Sequence, residues 1–562
     1  MLITDDQLKV LLIKNNLINE SGLKDIYEYI KNTETTLYDS LIEKNIISDE
    51  NLGILIADYL KIPFVVLSKI SIPQDIFHVI PERIARKYKI IPFSNDANGV
   101  KVASADPGNQ DIIKMVEKKT GKQVFIYLAT DRDIDNTFHI YRKDIQKKFE
   151  SFLSGNVYDK ELKLALDDAP ITKIVDMIIE YAYEDRASDI HIEPQEKESL
   201  IRFRIDGMLH DMLKIPKEFH DRVIARIKVQ SRLRTDEHMS SQDGKMRLKM
   251  AEEKLDIRVS ILPVVDGEKA VLRLLSTHTR QFSLLDLGMN EIDLKKVTAA
   301  INKSYGMILS TGPTGSGKST SIYALLKLLN KREKNITTVE DPVEYRIKGV
   351  NQINVNPKAG LTFATGLRSI LRQDPNIVFV GEIRDIETAG IAVNAALTGH
   401  LVLSTVHTND ASTTLPRLTD MKVEPFLVAS TVNVIIAQRL IRKICDMCKM
   451  SVDINKQELS KYIPEVKLVK HFGTKEQLRI FYGKGCKICH NTGYSGRIGV
   501  FEVLEVSEAI RKLIIAKADT NIIAKQAVSE GMTTMFDDGM EKIKIGISSI
   551  QELLRVTKFD TL

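Results

Sequence analysis

The sequence lacks an apolar run long enough to cross a membrane. Its longest weakly charged apolar stretch, Phe426 to Ala437, contains Ser430, Thr431 and Asn433 and is shorter than the roughly 20 residues that a spanning helix needs. The N-terminus has no basic segment followed by an apolar core, so we expect no secretory signal. Any membrane contact is therefore expected to be peripheral.

A large excess of charge of one sign is also missing. The 562 residues include 80 basic and 75 acidic side chains, which gives a net charge of +5. A hydrophobic content of 43% and a charged content of 28% are ordinary for a soluble globular protein. Nucleic acid is not expected as a partner, because binding to it usually requires a strongly basic surface. The length predicts about three to four domains.

Cysteine is scarce, and the few cysteines are grouped. All four lie in two C-x-x-C pairs, Cys445 with Cys448 and Cys486 with Cys489, with 37 residues between the pairs. In a chain without an export signal this pattern favours a metal over disulfides. Four thiolates close a tetrahedral site, so we predict a structural Zn²⁺ with the intervening segment folded as an insertion. His490 is interpreted as a neighbour of the site, and redox chemistry is the weaker alternative.

The residues that are present centre on one glycine-rich stretch that fits the G-x-x-x-x-G-K-[ST] phosphate-binding pattern. It consists of Gly312, Pro313, Thr314, Gly315, Ser316, Gly317, Lys318, Ser319 and Thr320. A short apolar strand at 307–310 precedes it, and apolar residues with helical spacing follow it at 322–329. Glycines let backbone N–H groups approach a polyphosphate, and the helix N-terminus adds partial positive charge. We predict that Lys318 reaches the β- and γ-phosphates and that Ser319 binds Mg²⁺; a chance glycine-rich turn is the alternative.

Three later apolar strands end in ionisable side chains. The strand at 336–339 is followed by Glu340, and the strand at 377–380 is followed by Gly381 and Glu382. A third strand, at 401–405, is flanked by His400 and His407. Open α/β sheets bind ligands at strand ends, so we predict that these groups lie near the γ-phosphate.

The N-terminal half predicts smaller modules. Residues 12–20 are echoed 29 residues later, and each copy predicts a helical hairpin whose second helix begins after Asn19 or Ser48. Beyond residue 80 the pattern becomes mixed α/β, with strands at 90–93 and 100–103. This region is interpreted as a protein-docking domain without chemistry. The charged segment from Tyr141 to Leu166 is interpreted as a connector, helical or flexible.

A second domain is predicted to begin near Ile171. Its strand at 200–207 places Arg202 and Arg204 on one face, opposite Ile201, Phe203 and Ile205. The pair is open to two interpretations, a solvated strand face or a clamp on a nucleotide phosphate. Two further arginines, Arg258 and Arg273, lie on later strands and raise the same question.

Taken together, these motifs resemble the secretion ATPases of the type II secretion and type IV pilus superfamily, and within it the pilus extension ATPases. The resemblance runs nearly end to end and rests on the following segments, in this order: ASDIHIEP, IRFRIDG, GPTGSGKST, TTVEDPVEY, RQDPNIVFVGEIRD, TGHLVLSTVHTNDA and CKICHNTGYSGRIGVFE. It implies a multidomain α/β protein with a RecA-like P-loop NTPase core at 291–562 and a tetracysteine zinc insertion at 445–489. Before the core it implies an MshEN-like α-helical/α+β adaptor at 1–140, a linker at 141–165, and an α+β, PAS-like domain at 166–290 that supplies arginines.

The resemblance also implies an ATP hydrolase with assigned residues. Glu340 would position or deprotonate the attacking water, and Glu382 would hold Mg²⁺ through water because Gly381 occupies the usual aspartate position. His400 and His407 would sense the γ-phosphate. Lys318 would contact the β- and γ-phosphates, and Arg202 and Arg204 would neutralise charge that develops on phosphoryl transfer.

The implied machine is a cytoplasmic homo-hexamer at the inner face of the inner membrane. In it the second domain of one subunit closes over the nucleotide on its P-loop domain, and ATP turnover drives a PilC/GspF-like platform protein that adds pilins to a fibre. ATP, Mg²⁺ and Zn²⁺ are the expected cofactors.

Two departures from the family pattern restrict what is carried over. Where some relatives have an Arg-Leu-Gly signature for cyclic di-GMP, this chain has Gln7-Leu8-Lys9 and Thr36-Leu37-Tyr38, so the sequence does not support that ligand. Lys245 replaces an arginine and cannot reproduce its bidentate contact.

The motifs leave four alternatives to pilus extension. A type II secretion ATPase shares nearly all these motifs, and a nucleotide-regulated scaffold with little turnover is conceivable because of Gly381. A nucleic-acid translocase and a pilus retraction motor fit less well.

Overall fold

The chain forms two compact units in a computed structural model. One unit joins Met1–Asp135 to Arg280–Leu562, and the other comprises Asn136–Thr279. The structure describes all residues except 1–2, 34, 45, 71, 73–75, 77–78, 97–98, 142–144, 146–148, 151–168, 251–253, 276–282 and 558–562. Most of the connector predicted at 141–166 lies outside the described residues. Within the part of the chain that is described, no helix combines the length and the apolar character needed to cross a bilayer.

The first unit begins with the two predicted helical hairpins. Their helices are α1 (Asp5–Lys14), α2 (Glu20–Thr33), α3 (Leu37–Glu43) and α4 (Asp49–Leu60). Both predicted caps are confirmed, because the Asn19 side chain accepts the Gly22 amide at 2.8 Å and the Ser48 hydroxyl accepts the Asn51 amide at 3.2 Å. The equivalent residues of the repeat, Leu12 and Leu41, are both fully buried.

A small three-stranded sheet follows the hairpins. Its elements are α5 (Glu82–Tyr88), β1 (Ile90–Asp96), β2 (Gly99–Ser104), α6 (Gln110–Thr120), β3 (Val124–Leu128) and α7 (Asp131–Thr137). β1 pairs antiparallel with β2, which pairs parallel with β3. The strands predicted at 90–93 and 100–103 are confirmed, and β3 is an addition to the prediction.

The second unit is a six-stranded antiparallel sheet with helices packed on it. Its elements are α8 (Ala169–Glu184), β4 (Asp189–Pro194), β5 (Glu198–Ile205), β6 (Met208–Pro216), α9 (His220–Gln230), β7 (Gln242–Lys249), β8 (Lys254–Val264) and β9 (Gly267–Leu275). The strand order is β6-β5-β4-β9-β8-β7. Ile201 and Phe203 are fully buried in its core, as the alternation in β5 predicts.

A seven-stranded sheet, of order β12-β11-β13-β14-β10-β15-β18, organises the rest of the first unit. The strands are β10 (Gly306–Thr311), β11 (Ile336–Glu340), β12 (Asn351–Asn354), β13 (Ile377–Val380), β14 (Leu401–Val406), β15 (Val432–Ile444) and β18 (Tyr494–Glu505). β18 is antiparallel to β15, and the other neighbouring pairs are parallel. Alternate residues bury on opposite faces, so that Leu309 joins one apolar cluster and Ile308 the other.

Helices cover both faces of this sheet, and a hairpin projects from it between β15 and β18. The helices are α10 (Glu291–Ile301), α11 (Lys318–Leu329), α12 (Phe363–Ile370), α13 (Ile386–Leu397), α14 (Thr414–Asp420), α15 (Pro425–Thr431), α18 (Glu508–Ile515), α19 (Thr520–Ser529), α20 (Met535–Lys544) and α21 (Ile550–Val556). The insertion contains β16 (Lys449–Asn455), α16 (Lys456–Leu459), α17 (Glu465–Phe472) and β17 (Gln477–Gly483), with β16 antiparallel to β17.

Candidate functional site

The glycine-rich stretch is the turn between β10 and α11, as predicted. Its three glycines have φ of 143° at Gly312, 77° at Gly315 and 92° at Gly317, a region that side chains with a Cβ rarely adopt. A Cβ on Gly312 would also lie 2.5 Å from the Gln438 carbonyl oxygen. The loop therefore requires glycine, and it leaves its backbone accessible to a phosphate chain.

Lys318 and Ser319 begin α11 at the edge of this loop. The Lys318 ammonium group donates to the carbonyl oxygens of Gly312 at 2.8 Å and Pro313 at 3.0 Å, so it lies over the loop. Burial lowers the pKa of Lys318, and the nearby Glu382 carboxylate partly offsets this effect. Ser319 is exposed at the first turn of the helix. These residues fit a nucleotide phosphate with an accompanying Mg²⁺.

Glu382, which follows β13, belongs to the same edge of the sheet. Its Oε2 atom lies 2.7 Å from Arg384 Nε and 3.2 Å from His407 Nε2, and His407 itself follows the end of β14. The structure therefore brings Lys318, Glu382 and His407 together at the carboxyl ends of parallel strands. The sequence motifs predict no role for Arg384, which lies two residues after Glu382.

Gly381 fills a place where the backbone of β11 comes close. Its amide donates to the Val339 carbonyl oxygen at 2.8 Å. A Cβ at this position would lie 3.3 Å from both Glu340 Cα and the Val339 carbonyl oxygen. This close approach gives a physical reason for glycine at the place where a Walker B motif usually has aspartate.

Glu340 ends β11 and is 4% exposed. Its Oε1 atom accepts hydrogen bonds from Thr338 Oγ1 at 2.6 Å and Gln352 Nε2 at 3.2 Å, and its Oε2 atom accepts one from the Tyr323 hydroxyl. Burial raises the pKa of Glu340, against the opposing effect of these donors. The sequence did not predict Tyr323 or Gln352 as site residues. Neither belongs to the glycine-rich pattern, and neither directly follows a predicted strand.

His400 lies at the opposite end of the strands from the P-loop. It precedes β14, whose first residue pairs with Gly306 at the start of β10, whereas the P-loop follows the last residue of β10. The six residues of β14 span about 16 Å at 3.3 Å per residue, so His400 and His407 are separated by at least the length of the strand. His400 Nδ1 instead contacts the Ala395 carbonyl oxygen at 3.0 Å. The structure does not bring His400 to the P-loop, because His400 precedes the first residue of β14, whereas the P-loop lies beyond the last residues of the parallel strands.

The two predicted arginines of the second unit lie side by side on β5, and both are paired within their own sheet. Arg202 Nη2 lies 2.8 Å from Glu193 Oε2, and Arg204 Nε lies 3.4 Å from Asp189 Oδ2. Arg273 also binds Asp189, at 2.9 Å. The arginine side chains are 29% and 36% exposed for Arg202 and Arg204, which leaves part of each guanidinium group accessible.

The four cysteines form one cluster at the base of the insertion, with their sulfur atoms within 4.8 Å of one another. Sulfur separations are 3.9 Å for Cys445 with Cys486, 3.9 Å for Cys448 with Cys489 and 3.7 Å for Cys486 with Cys489. A tetrahedron of 2.3 Å Zn–S bonds has edges of about 3.8 Å, whereas a disulfide requires about 2.05 Å. The cluster therefore fits a four-thiolate zinc ion, and His490 is not one of the four groups.

Backbone amides turn toward these sulfur atoms. The Gly485 amide donates to Cys448 Sγ at 3.3 Å, and the Gly493 amide donates to Cys489 Sγ at 3.2 Å. Gly483 and Gly493 approach so closely that a Cβ on Gly483 would lie 2.0 Å from the Gly493 carbonyl oxygen. Such donors stabilise thiolates, which supports a metal site over a pair of neutral thiols.

Comparison with known proteins identifies the family. The family model described as "Type II/IV secretion system protein" matches residues 164–555, and the MshEN domain model matches residues 60–145. The chain belongs to the type II/IV secretion system protein family. Its P-loop sheet, its four-cysteine insertion and its N-terminal MshEN domain agree with the fold predicted from the sequence.

The chain is similar to ATPases of type IV pilus assembly and of type II secretion. The chain is 36% identical over 565 residues to the type IV pilus assembly ATPase PilB of Myxococcus xanthus, with 98% of each chain covered. It is 42% identical over 400 residues to the type II secretion system ATPase E of Vibrio cholerae, with 71% of this chain and 78% of that protein covered. The prediction of an ATP-hydrolysing enzyme of this superfamily is confirmed.

One solved structure supports the fold. The X-ray structure of the Legionella pneumophila ATPase DotB matches with a TM-score of 0.50 at 21% sequence identity. The match covers 68% of this chain and 94% of that structure. At this level of identity the similarity concerns the fold alone.

Proposed function

We propose that this protein is a motor ATPase that drives the assembly of type IV pili. The observation that carries the proposal is the extent of the match to the Myxococcus pilus assembly ATPase, which covers 98% of both chains and so includes the N-terminal region. The match to the Vibrio secretion ATPase covers 71% of this chain. The greater extent of the match to the pilus assembly ATPase therefore favours the pilus assembly role.

The proposed reaction is Mg²⁺-dependent hydrolysis of ATP at the P-loop. The loop amides and Lys318 bind the β- and γ-phosphates. Ser319, and Glu382 through water, would hold Mg²⁺, which would supply charge neutralisation at the transferred phosphoryl group. Glu340 accepts a proton from the attacking water, a role that suits a buried carboxylate with a raised pKa. His407, 3.2 Å from Glu382, responds to the γ-phosphate.

We further propose a homo-hexamer at the cytoplasmic face of the inner membrane that acts on a membrane platform protein. In this proposal Arg204, with Arg202 beside it, neutralises charge on the nucleotide phosphates, which is the role that the family resemblance implies. Each arginine is partly exposed, and each is held in place by a carboxylate of the same sheet. Zn²⁺ in the four-cysteine cluster has a structural role, since four thiolates leave no open position for a substrate.

A second candidate function is protein export by a type II secretion system, favoured by the 42% identity to the Vibrio ATPase over 400 residues. Deleting the gene in its host separates the two. Loss of surface pili with normal protein export supports the pilus role, and loss of export with normal pili supports the secretion role.

The biochemical test is ATP turnover against protein concentration, with light scattering on the same samples. The variants are Glu340→Gln, Arg204→Ala and the control Arg234→Ala, whose side chain is 70% exposed in the same unit as Arg204. A rate per subunit that rises as hexamers form, and that collapses in the first two variants alone, supports the motor. Full turnover in a monomer that is indifferent to Arg204→Ala contradicts it, and absence of turnover in the wild type favours a nucleotide-regulated scaffold.

A further inference from the structure

Tyr323 joins the P-loop helix to the proposed catalytic carboxylate. It lies on α11, five residues after Lys318, and is 1% exposed. Its hydroxyl donates to Glu340 Oε2 and accepts the Glu344 amide at 3.2 Å. One buried phenol thus holds both the carboxylate and the backbone just beyond it.

The hydrogen bonds at Glu340 leave one acceptor position open. An ionised carboxylate has about four lone-pair sites, two on each oxygen. Both sites on Oε1 are taken, by Thr338 and Gln352, whereas Oε2 accepts from Tyr323 alone among the described residues. A water molecule that gives a proton to Glu340 would therefore meet Oε2, the atom that Tyr323 orients.

We infer that Tyr323 is a positioning residue, whose hydroxyl orients the free lone pair of Glu340 Oε2 toward the attacking water. Because Tyr323 belongs to α11, this orientation depends on the position of the helix that begins with Lys318. The inference rests on the proposed role of Glu340. A helix moves as a rigid element, so a displacement of the P-loop on binding phosphate also displaces the Tyr323 hydroxyl. Misplacement of a catalytic group by a fraction of an ångström lowers turnover without weakening nucleotide binding.

The Tyr323 ring is held independently of its hydroxyl. It packs edge-on against Tyr345, with ring centroids 4.5 Å apart, and against Phe379, with centroids 6.4 Å apart. Tyr323→Phe therefore removes the hydroxyl and keeps the ring contacts. Tyr305→Phe is the matched control, because it makes the same chemical change at a side chain that is 56% exposed.

The first measurement is steady-state ATP hydrolysis. General-base catalysis contributes about 10²–10⁴ in rate, and loss of its alignment should remove part of this. We expect Tyr323→Phe to lower kcat by about tenfold to a hundredfold with KM for ATP unchanged. The double variant Tyr323→Phe/Glu340→Gln should be no slower than Glu340→Gln alone. Once the Glu340 carboxylate is absent, a residue that acts only through it no longer affects the rate.

The pH profile provides a readout that a purely structural role would not move. The titratable groups that face Glu340 are Tyr323 from α11 and Glu344 from the following loop, with Tyr345 behind Tyr323. Removal of a donor to the carboxylate raises its pKa further, so the acidic limb of the kcat profile should move to higher pH. Tyr323→3-fluorotyrosine, which preserves the ring and donates a stronger hydrogen bond, should move that limb to lower pH.

The outcomes separate this inference from the proposed function. Wild-type kcat and pH profile in Tyr323→Phe, with Glu340→Gln inactive, would overturn the role of Tyr323 and leave that of Glu340 intact. Full activity in Glu340→Gln would overturn the proposed function itself. If Tyr323→Phe melts early or no longer binds ATP, the fluorotyrosine variant decides, and an unmoved acidic limb overturns the inference.

Discussion

Glu43 and Lys327 form an ion pair at 2.8 Å, although 283 residues of sequence separate them. Glu43 ends α3 of the N-terminal hairpins, and Lys327 lies in the last turn of α11. Their side chains are 5% and 12% exposed, and the Tyr29 hydroxyl donates to the other Glu43 oxygen at 2.8 Å. Beside this pair, Lys44 Nζ donates to the carbonyl oxygens of Lys327 at 2.9 Å and Leu328 at 3.1 Å. The N-terminal hairpins therefore bind the end of α11 that lies away from the P-loop.

We predict that Glu43→Gln loosens this contact. The change removes the negative charge next to Lys327 in a nearly buried setting, where breaking an ion pair costs about 3 kcal/mol. Hydrogen exchange in α3 and proteolysis of the N-terminal region should both become faster. Glu50→Gln is the control, because its pair with Lys69 is 40% and 63% exposed and should contribute less than about 1 kcal/mol. Equal protection in the two variants would contradict the prediction.

The four-cysteine cluster predicts one zinc ion per chain. Cys448→Ser should lower the zinc content measured by elemental analysis and increase hydrogen exchange across β16 and β17, because a metal held by the four cysteines would join the two ends of this hairpin. His490→Ala should retain zinc, since His490 is not a member of the cluster. Undiminished zinc in the serine variant, or loss of zinc in the alanine variant, would show a different ligand set.

Acid should destabilise the first unit partly through Glu552. This side chain is 2% exposed and binds Arg442 at 2.5 Å and Arg555 at 2.9 Å. Burial opposes its ionisation, yet hydrogen bonds from Arg442 and Arg555 hold its pKa at about 2, below the ordinary 4.5. Since the folded-state pKa is depressed, the stabilising contribution is complete above pH 4.5 and is lost as the pH falls toward 2.

That contribution corresponds to about 3 kcal/mol at 1.36 kcal/mol per pKa unit. The free energy of unfolding in urea should therefore decrease more between pH 6 and pH 3 for the wild type than for Glu552→Gln. Glu508→Gln, at a side chain that is 76% exposed, should retain the wild-type dependence. Parallel pH dependences in wild type and Glu552→Gln would refute the assignment.

Gly381→Asp should not improve the enzyme, even though it introduces the aspartate that a Walker B motif usually has at this place. The new Cβ would lie 3.3 Å from Glu340 Cα and from a Phe363 ring carbon. Crowding of this kind in a packed sheet costs about 1–3 kcal/mol and displaces the strand end that carries Glu340. We expect a lower melting temperature and lower turnover, whereas Gly390→Asp, where no atom lies within 4 Å of an added Cβ, should change neither through crowding. Higher turnover in Gly381→Asp would show that the missing carboxylate limits the reaction.

The sequence by itself determined the features that short segments encode. The P-loop favours glycines at 312, 315 and 317, because side chains with a Cβ rarely adopt the backbone angles found there. The caps at Asn19 and Ser48, the alternation in β5 and the two C-x-x-C pairs are equally local. Each could be predicted, since the physical cause lies within a few residues of its effect.

Only the tertiary structure decided which distant groups meet. The parallel register of β10 and β14 places His407 beside Glu382 and leaves His400 at the opposite edge, a distinction that depends on strand direction in the assembled sheet. The bond from Tyr323 to Glu340 and the pair of Glu43 with Lys327 join segments that no sequence spacing relates. Such contacts arise from the packing of helices on the sheet. A buried polar group needs a hydrogen-bond partner, and the fold determines which groups are close enough to provide one.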